Sequence, residues 1–172
     1  MPAKLSSRKT AGFKTASNQI AARYRSGAEK RVLAALRTLG TVETCVPKRM
    51  VVLHRGANAT ASAVTAAMEK LKQQGLIEFV TPVLIDLESK TRQVLTDEIV
   101  IQLKPGRTQR ALAALTAKHG VSIGKQSEFE PSQFIVTVPK PTGMQTLDVA
   151  RLLDKSADVE FASPNFLAEF KR

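Results

Sequence analysis

The chain has no tryptophan, one tyrosine and one cysteine in 172 residues. A single cysteine, Cys45, excludes an internal disulfide framework. No apolar run approaches the roughly 18 residues of a membrane-crossing helix, and the N-terminus lacks the apolar core, about 7–15 residues long, of a secretory leader. His54 and His119 are the only imidazoles. His54 ends an apolar strand pattern and His119 closes a helical one, where the dipole favours a cation, so both read as structural. Cys45, between Thr44 and Val46, reads as a small packed residue rather than a nucleophile. Also missing are a glycine-rich phosphate loop, a serine-nucleophile elbow and a metal-ligand cluster. The paired acids Asp97-Glu98, and Glu128 with Glu130, suit a strand start and a loop better than acid–base work. The expectation is a non-enzyme with no catalytic residue, no metal and no cofactor.

Acidic residues are absent from positions 1–28. Residues 1–31 hold eight basic side chains against Glu29, a net +7 of the chain's +11, leaving +4 for the rest. This segment is rich in Ser, Thr and Ala. Its composition also suits a mitochondrial-type leader, but it shows no apolar stripe. We read it as a basic, unstructured arm on a cytoplasmic protein, able to make salt-dependent, non-specific contact with polyanions and making none with membrane. A folded remainder at +4 does not announce a nucleic-acid groove.

From there the pattern is regular. Residues 28–39 predict a helix with Val32, Leu33, Leu36 and Leu39 on one face and Gly40 as its stop. Strands follow at 42–46 and 49–54, then a helix capped by Asn58 or Thr60, running to about Gln74 and burying Val64, Ala67, Met68 and Leu71. A strand at 76–81 is expected to stop at Pro82. A hairpin at 83–95, turning at Glu88-Ser89-Lys90, leads into strand 98–104, helix 109–119 and strands 121–126 and 133–138. Helix 144–155 and strand 159–162 complete the chain before Ser163-Pro164-Asn165. The second half therefore reads as α+β, a ferredoxin-like βαββαβ module with two helices on one face of an antiparallel sheet.

Ile77-Glu78-Phe79-Val80-Thr81-Pro82 recurs as Val159-Glu160-Phe161-Ala162-Ser163-Pro164, an offset of 82 residues. We therefore expect a basic arm over 1–31, a degenerate related module over 32–95 and a complete one over 96–172.

Three stretches carry a family likeness. They are the opening 96–106 (Thr-Asp-Glu-Ile-Val-Ile-Gln-Leu-Lys-Pro-Gly), the third strand 133–139 (Gln-Phe-Ile-Val-Thr-Val-Pro) and the close 158–166 (Asp-Val-Glu-Phe-Ala-Ser-Pro-Asn-Phe). In this order they resemble the N-terminal propeptides of subtilisin-like serine proteases. Such propeptides inhibit the mature protease and template its folding. No protease domain follows Arg172, so the resemblance implies a free-standing inhibitor, and folding chaperone, acting in trans in a 1:1 complex.

The resemblance further implies that the sheet face packs on two surface helices of the protease. Ser163 and Asn165 would cap those helices, where the family has acidic residues. The tail Phe166, Leu167, Ala168, Glu169, Phe170, Lys171 and Arg172 would enter the active-site cleft as an added strand. Either Lys171 or Arg172 would lie nearest the catalytic serine. Without the family pattern such a tail reads as a frayed end. The alternative function is a nucleic-acid-binding ferredoxin-like module with a basic arm. Against it, sheet-face RNA readers need stacking aromatics, and Phe134 is the only aromatic on the central strands, facing the core by alternation.

Overall fold

The structure is a computed structural model that describes residues 12–45 and 48–167. Its elements are β1 (Phe13–Tyr24), α1 (Glu29–Arg37), β2 (Gly40–Cys45), β3 (Met50–Arg55), α2 (Ala61–Gln73), β4 (Ile77–Asp86), β5 (Arg92–Leu103), α3 (Gln109–His119), β6 (Ser122–Gln126), β7 (Gln133–Thr137), α4 (Gln145–Asp154) and β8 (Val159–Leu167). Two compact units divide at Val94 and Leu95, so the long β5 gives its first residues to one unit and its remainder to the other.

The first unit, Phe13–Val94, runs βαββαβ with strand order β2-β3-β1-β4. Its central strand is the segment expected to be an unstructured arm. β1 pairs antiparallel with β3 (Ile20 with Leu53, Ala22 with Val51) and with β4 (Ala21 with Thr81, Ala22 with Val80). The strand forms because its second half alternates small residues between two packed faces. Ala22 and Tyr24 join Val32, Leu36, Val51, Leu53, Met68 and Leu71 under the helices, while Ala21 joins Met50, Val52 and Phe79 on the opposite face. Arg23 is tolerated in so buried a strand with its guanidinium 5.0 Å from the Phe79 ring centre, a cation over an aromatic face. The N-terminal half is thus a complete module from residue 13, not a degenerate one from residue 32. Residues 1–11 of the expected arm lie outside the described residues.

Two further expectations change. Gly40 does not stop α1, whose C-cap is Thr38; it opens β2. A Cβ there would fall 2.0 Å from the His54 carbonyl oxygen, so glycine is required by the close approach of backbone. Nor do Pro82 and Pro164 end their strands, since β4 and β8 run through them. Pro82, paired with Ile20, borders the irregularity where the β1–β4 register jumps between Thr15 and Ile20. Pro164 lies on β8, which pairs only with β5 among the described strands; edges and bulges are where proline is accepted.

The second unit, Leu95–Phe166, has β7 between β5 and β6, with β8 on the other side of β5. That is the ferredoxin-like strand order, the same as in the first unit. β5 pairs antiparallel with β7 (Ile99 with Val136, Ile101 with Phe134). Ile99, Ile101, Leu103, Phe134 and Val136 meet Leu112 and Leu115 of α3 and Ala150 and Leu153 of α4 in one core. Gly120 closes α3 in the left-handed region at φ 65°, where a side chain would be strained. Thr60 caps α2, accepting from the Ala63 N–H at 3.1 Å. The hairpin between β4 and β5 forms as expected, its turn held by Asp86 Oδ1, which accepts from the N–H groups of Glu88 (2.9 Å) and Ser89 (2.8 Å).

Candidate functional site

The site expected from the sequence lies along β8 of the second unit. Its entry is fixed by Val159, buried against the helices, and by the turn before it. The Lys104 N–H donates to the Asp158 carbonyl at 3.0 Å, and the Arg107 guanidinium pairs with the Asp158 carboxylate at 3.0 Å. The Ala162 N–H donates to Asp154 Oδ1 at 2.9 Å. β8 then continues through Ser163, Pro164 and Asn165 to Leu167, where the sequence suggested that the core strand ended at Ala162.

Asn165 is tied into the module. Its carbonyl accepts from the Thr96 hydroxyl at 2.6 Å, and its Nδ2 donates to Glu98 Oε2 at 2.7 Å. Ser163 Oγ makes a long 3.5 Å contact to the Pro164 carbonyl. Phe166 and Leu167 are half-buried strand residues. Ala168, Glu169, Phe170, Lys171 and Arg172 lie outside the described residues. Glu98 is the partner that sequence reasoning missed. It was read only as one of two acids at a strand start, and its meeting with Asn165 depends on the β5–β8 pairing, which no local pattern encodes.

Alternation along β5 and β7 turns Glu98, Val100 and Gln102, with Gln133, Ile135 and Thr137, away from the helices. Val100 pairs with Ile135, Glu98 with Thr137 and Gln102 with Gln133. All six are half-buried. Ile123 on β6, 36% exposed, pairs with Val136 and so lies on the helix side of the sheet, not on this face. An apolar centre edged by amides and a carboxylate suits a protein partner more than a small ligand.

The loop between β6 and β7 carries Phe129, 95% exposed, with Glu128 and Glu130 beside it. Ser127 Oγ accepts from the N–H groups of Phe129 and Glu130, both at 3.3 Å. Glu130 Oε1 accepts from the Ser132 hydroxyl at 2.7 Å and its N–H at 3.2 Å. Those two bonds, the hydroxyl's first, hold the Glu130 carboxyl below the ordinary carboxylate range.

Elsewhere, the first unit buries one ionic cluster. Glu43, 2% exposed, reaches Arg92 Nη2 at 2.5 Å and His54 Nε2 at 3.0 Å. His54 therefore serves a structural pair. Among the described residues no group of three or more His, Cys, Asp or Glu is placed to hold a metal ion, and no helix is long and apolar enough to cross a membrane.

Comparison with known proteins agrees with the second unit's geometry. Residues 86–165 match the family described as the Fervidolysin N-terminal prodomain. The chain is 26% identical over 106 residues to the calcium-dependent protease of Nostoc sp. and, at the same identity and length, to that of Trichormus variabilis. In each case the match takes in 62% of this chain and 16% of the relative, so the chain spans about a sixth of the length of these proteases. Among solved structures, a putative glycine cleavage system transcriptional repressor is 16% identical, covering 88% of this chain and 95% of its own, at a TM-score of 0.28. The small subunit of acetolactate synthase from Thermotoga maritima is 13% identical, covering 90% and 95%, at 0.30. Scores that low carry no argument, and the fold rests on the strand order. Residues 86–165 form a subtilase-propeptide-like module.

Proposed function

We propose that this protein binds and inhibits a subtilisin-like serine protease in trans, without catalysis of its own, and assists the folding of that protease. The observation that carries the reading is the prodomain match over 86–165, which falls on the unit whose last strand, β8, leads directly into residues 168–172. The half-buried face of Val100 and Ile135 would lie on the protease in a 1:1 complex. Residues Phe166 to Arg172 would extend into the cleft as an added strand and stay bound in the manner of a product, with Lys171 or Arg172 nearest the catalytic serine.

Ser163 and Asn165 would cap exposed helix N-termini of the protease. Asn165 spends its amide N–H on Glu98, which leaves its Oδ1 to accept from a partner. The Glu98 carboxylate beside it supplies negative charge favourable at such a helix end. We place this activity in the cytoplasm.

The test is inhibition of mature subtilisin-like proteases, the calcium-dependent protease of Nostoc sp. among them. Inhibition in the nanomolar to micromolar range is expected, with its loss on deleting residues 168–172. Unchanged inhibition after the deletion would reject the cleft-inserting tail.

A further inference from the structure

We propose that the loop 127–132 is a second protease-contacting site, outside the active-site cleft, where Phe129 enters an apolar recess on the enzyme and Glu128 and Glu130 meet lysine or arginine side chains at its rim. The proposal rests on the protease-binding reading above.

Single exposed apolar residues are ordinary, but this one differs in degree and in setting. Phe129 is 95% exposed, against 52% for Leu152 and 47% for Leu87. Its loop is also stapled. Besides the bonds to Ser127 and Glu130, Gln126 Nε2 donates to the Pro131 carbonyl at 2.6 Å, the Ser127 N–H to the Gln133 carbonyl at 2.8 Å, and the Gln133 N–H to the Glu130 carbonyl at 2.9 Å. An aromatic presented on backbone that is already ordered loses little freedom on docking, and buried aromatics carry a large share of interface energy.

The partner chemistry follows from charge. Residues 95–166 hold eight basic and eight acidic side chains, so the unit is neutral overall, yet at its tip one phenylalanine stands between two glutamates in sequence. Glu130, held by Ser132 below the ordinary carboxylate range, is charged at neutral pH as any exposed glutamate is. An apolar recess with a basic rim is the complementary surface.

Location separates this site from the cleft. β8 is pinned at its far end to Thr96 and Glu98, whereas the tip joins β7 beside Gln133, paired with Gln102. From Glu98 to Gln102 the strand rises roughly 14 Å, and β8 reaches its last described residue, Leu167, past the Glu98 end. The tip therefore adds affinity without occupying the cleft.

The test measures binding of the full chain and of its Phe129→Ala and Glu128→Lys variants to a mature protease that the wild type inhibits. The same protease is also used with its cleft filled by a peptidyl chloromethyl ketone. Phe129→Ala is expected to weaken binding about tenfold to both forms. Glu128→Lys should weaken it about fivefold at low salt and less at high salt. Unfolding midpoints should match wild type, since these side chains support no core. If Phe129→Ala binds both forms within about twofold of wild type, the tip is not a contact site. If it weakens binding only while the cleft is open, the tip acts in the cleft and the separate site is refuted. A wild-type chain that neither binds nor inhibits would overturn the protease reading itself, and with it the partner named here.

Discussion

The two units share an element order and a strand order, and corresponding strands keep step: β2 and β6 begin at Gly40 and Ser122, and β4 and β8 at Ile77 and Val159, 82 residues apart in both cases. Their chemistry has diverged. Residues 13–94 carry thirteen basic and six acidic side chains, a net +7, against zero for 95–166. The first unit buries an ionic cluster around Glu43; the Arg107–Asp158 pair of the second is 50% and 35% exposed. The prodomain match takes nearly all of the second unit and only the hairpin end of the first. A strand order is thus compatible with very different surfaces, and the protease recognition proposed above is assigned to the faces, ends and loops of the second unit.

The largest expected effect separates the two edge strands. β2 and β6 each bring a glycine under a neighbouring carbonyl. A Cβ on Gly40 would meet His54 O at 2.0 Å and Gly56 N at 2.7 Å, whereas on Gly124 it would meet Ile135 O at 2.9 Å. Gly40→Ala should cost about 3 kcal/mol or more and Gly124→Ala about 1 kcal/mol, because only the first is closed in by backbone on two sides. Urea unfolding of both variants measures this. Equal losses would mean that β2 shifts as readily as β6, and the contrast would break.

Much of this frame was legible in the sequence, for reasons that particular residues show. Helices and paired strands rich in Val, Leu and Ile announced themselves by period: α3 spans the expected Gln109–His119, and Phe134, Val136 and Val138 alternate inward as read. β1 did not, because its buried positions include Ala16, Ala21, Ala22 and Arg23. Alanine is a weak strand signal and arginine a surface one. Only pairing with β3 and β4 on either side explains their burial. The prolines misled in the opposite sense, since whether a proline ends a strand depends on an edge or bulge that exists only in the assembled sheet. For the candidate site, Ser163 and Asn165 were proposed from the motif, but Glu98 beside Asn165 comes from a strand 67 residues away, and the loop bearing Phe129 drew notice only for its acids.

A smaller effect contrasts the ion pairs. Arg92→Met takes the arginine from the buried Glu43, and about 2 kcal/mol of stability should be lost; a fully enclosed pair would lose more, but Arg92 is 26% exposed. Arg107→Met, at a surface pair, should cost less than about 1 kcal/mol. Adding Glu43→Leu to Arg92→Met should restore most of the loss, because the buried carboxylate that has lost its arginine, rather than the missing attraction, is what destabilises. Failure of that double variant to recover, read by denaturant midpoint, would show that the cluster contributes more than mutual neutralisation.

The smallest effect uses a residue that only the first unit possesses. Tyr24 is the one tyrosine in the chain, 3% exposed, with a hydroxyl that has no hydrogen-bond partner among the described residues. Burial pushes its phenol above the ordinary value of 10.0, and the nearby Glu29 and Cys45 push the same way against Arg49. Folding therefore favours the neutral phenol. The stability this gives is complete below pH 10 and is lost as pH rises through the folded pKa. Phenolate absorbance should develop at higher pH in the native chain than in the urea-unfolded one. Tyr24→Phe should leave neutral-pH stability unchanged or slightly raised, since it removes a buried donor with nothing to bind. Coincident native and unfolded titration curves would mean that β1 opens readily to solvent, and the first unit would then lack the closed core that makes it the equal of the second.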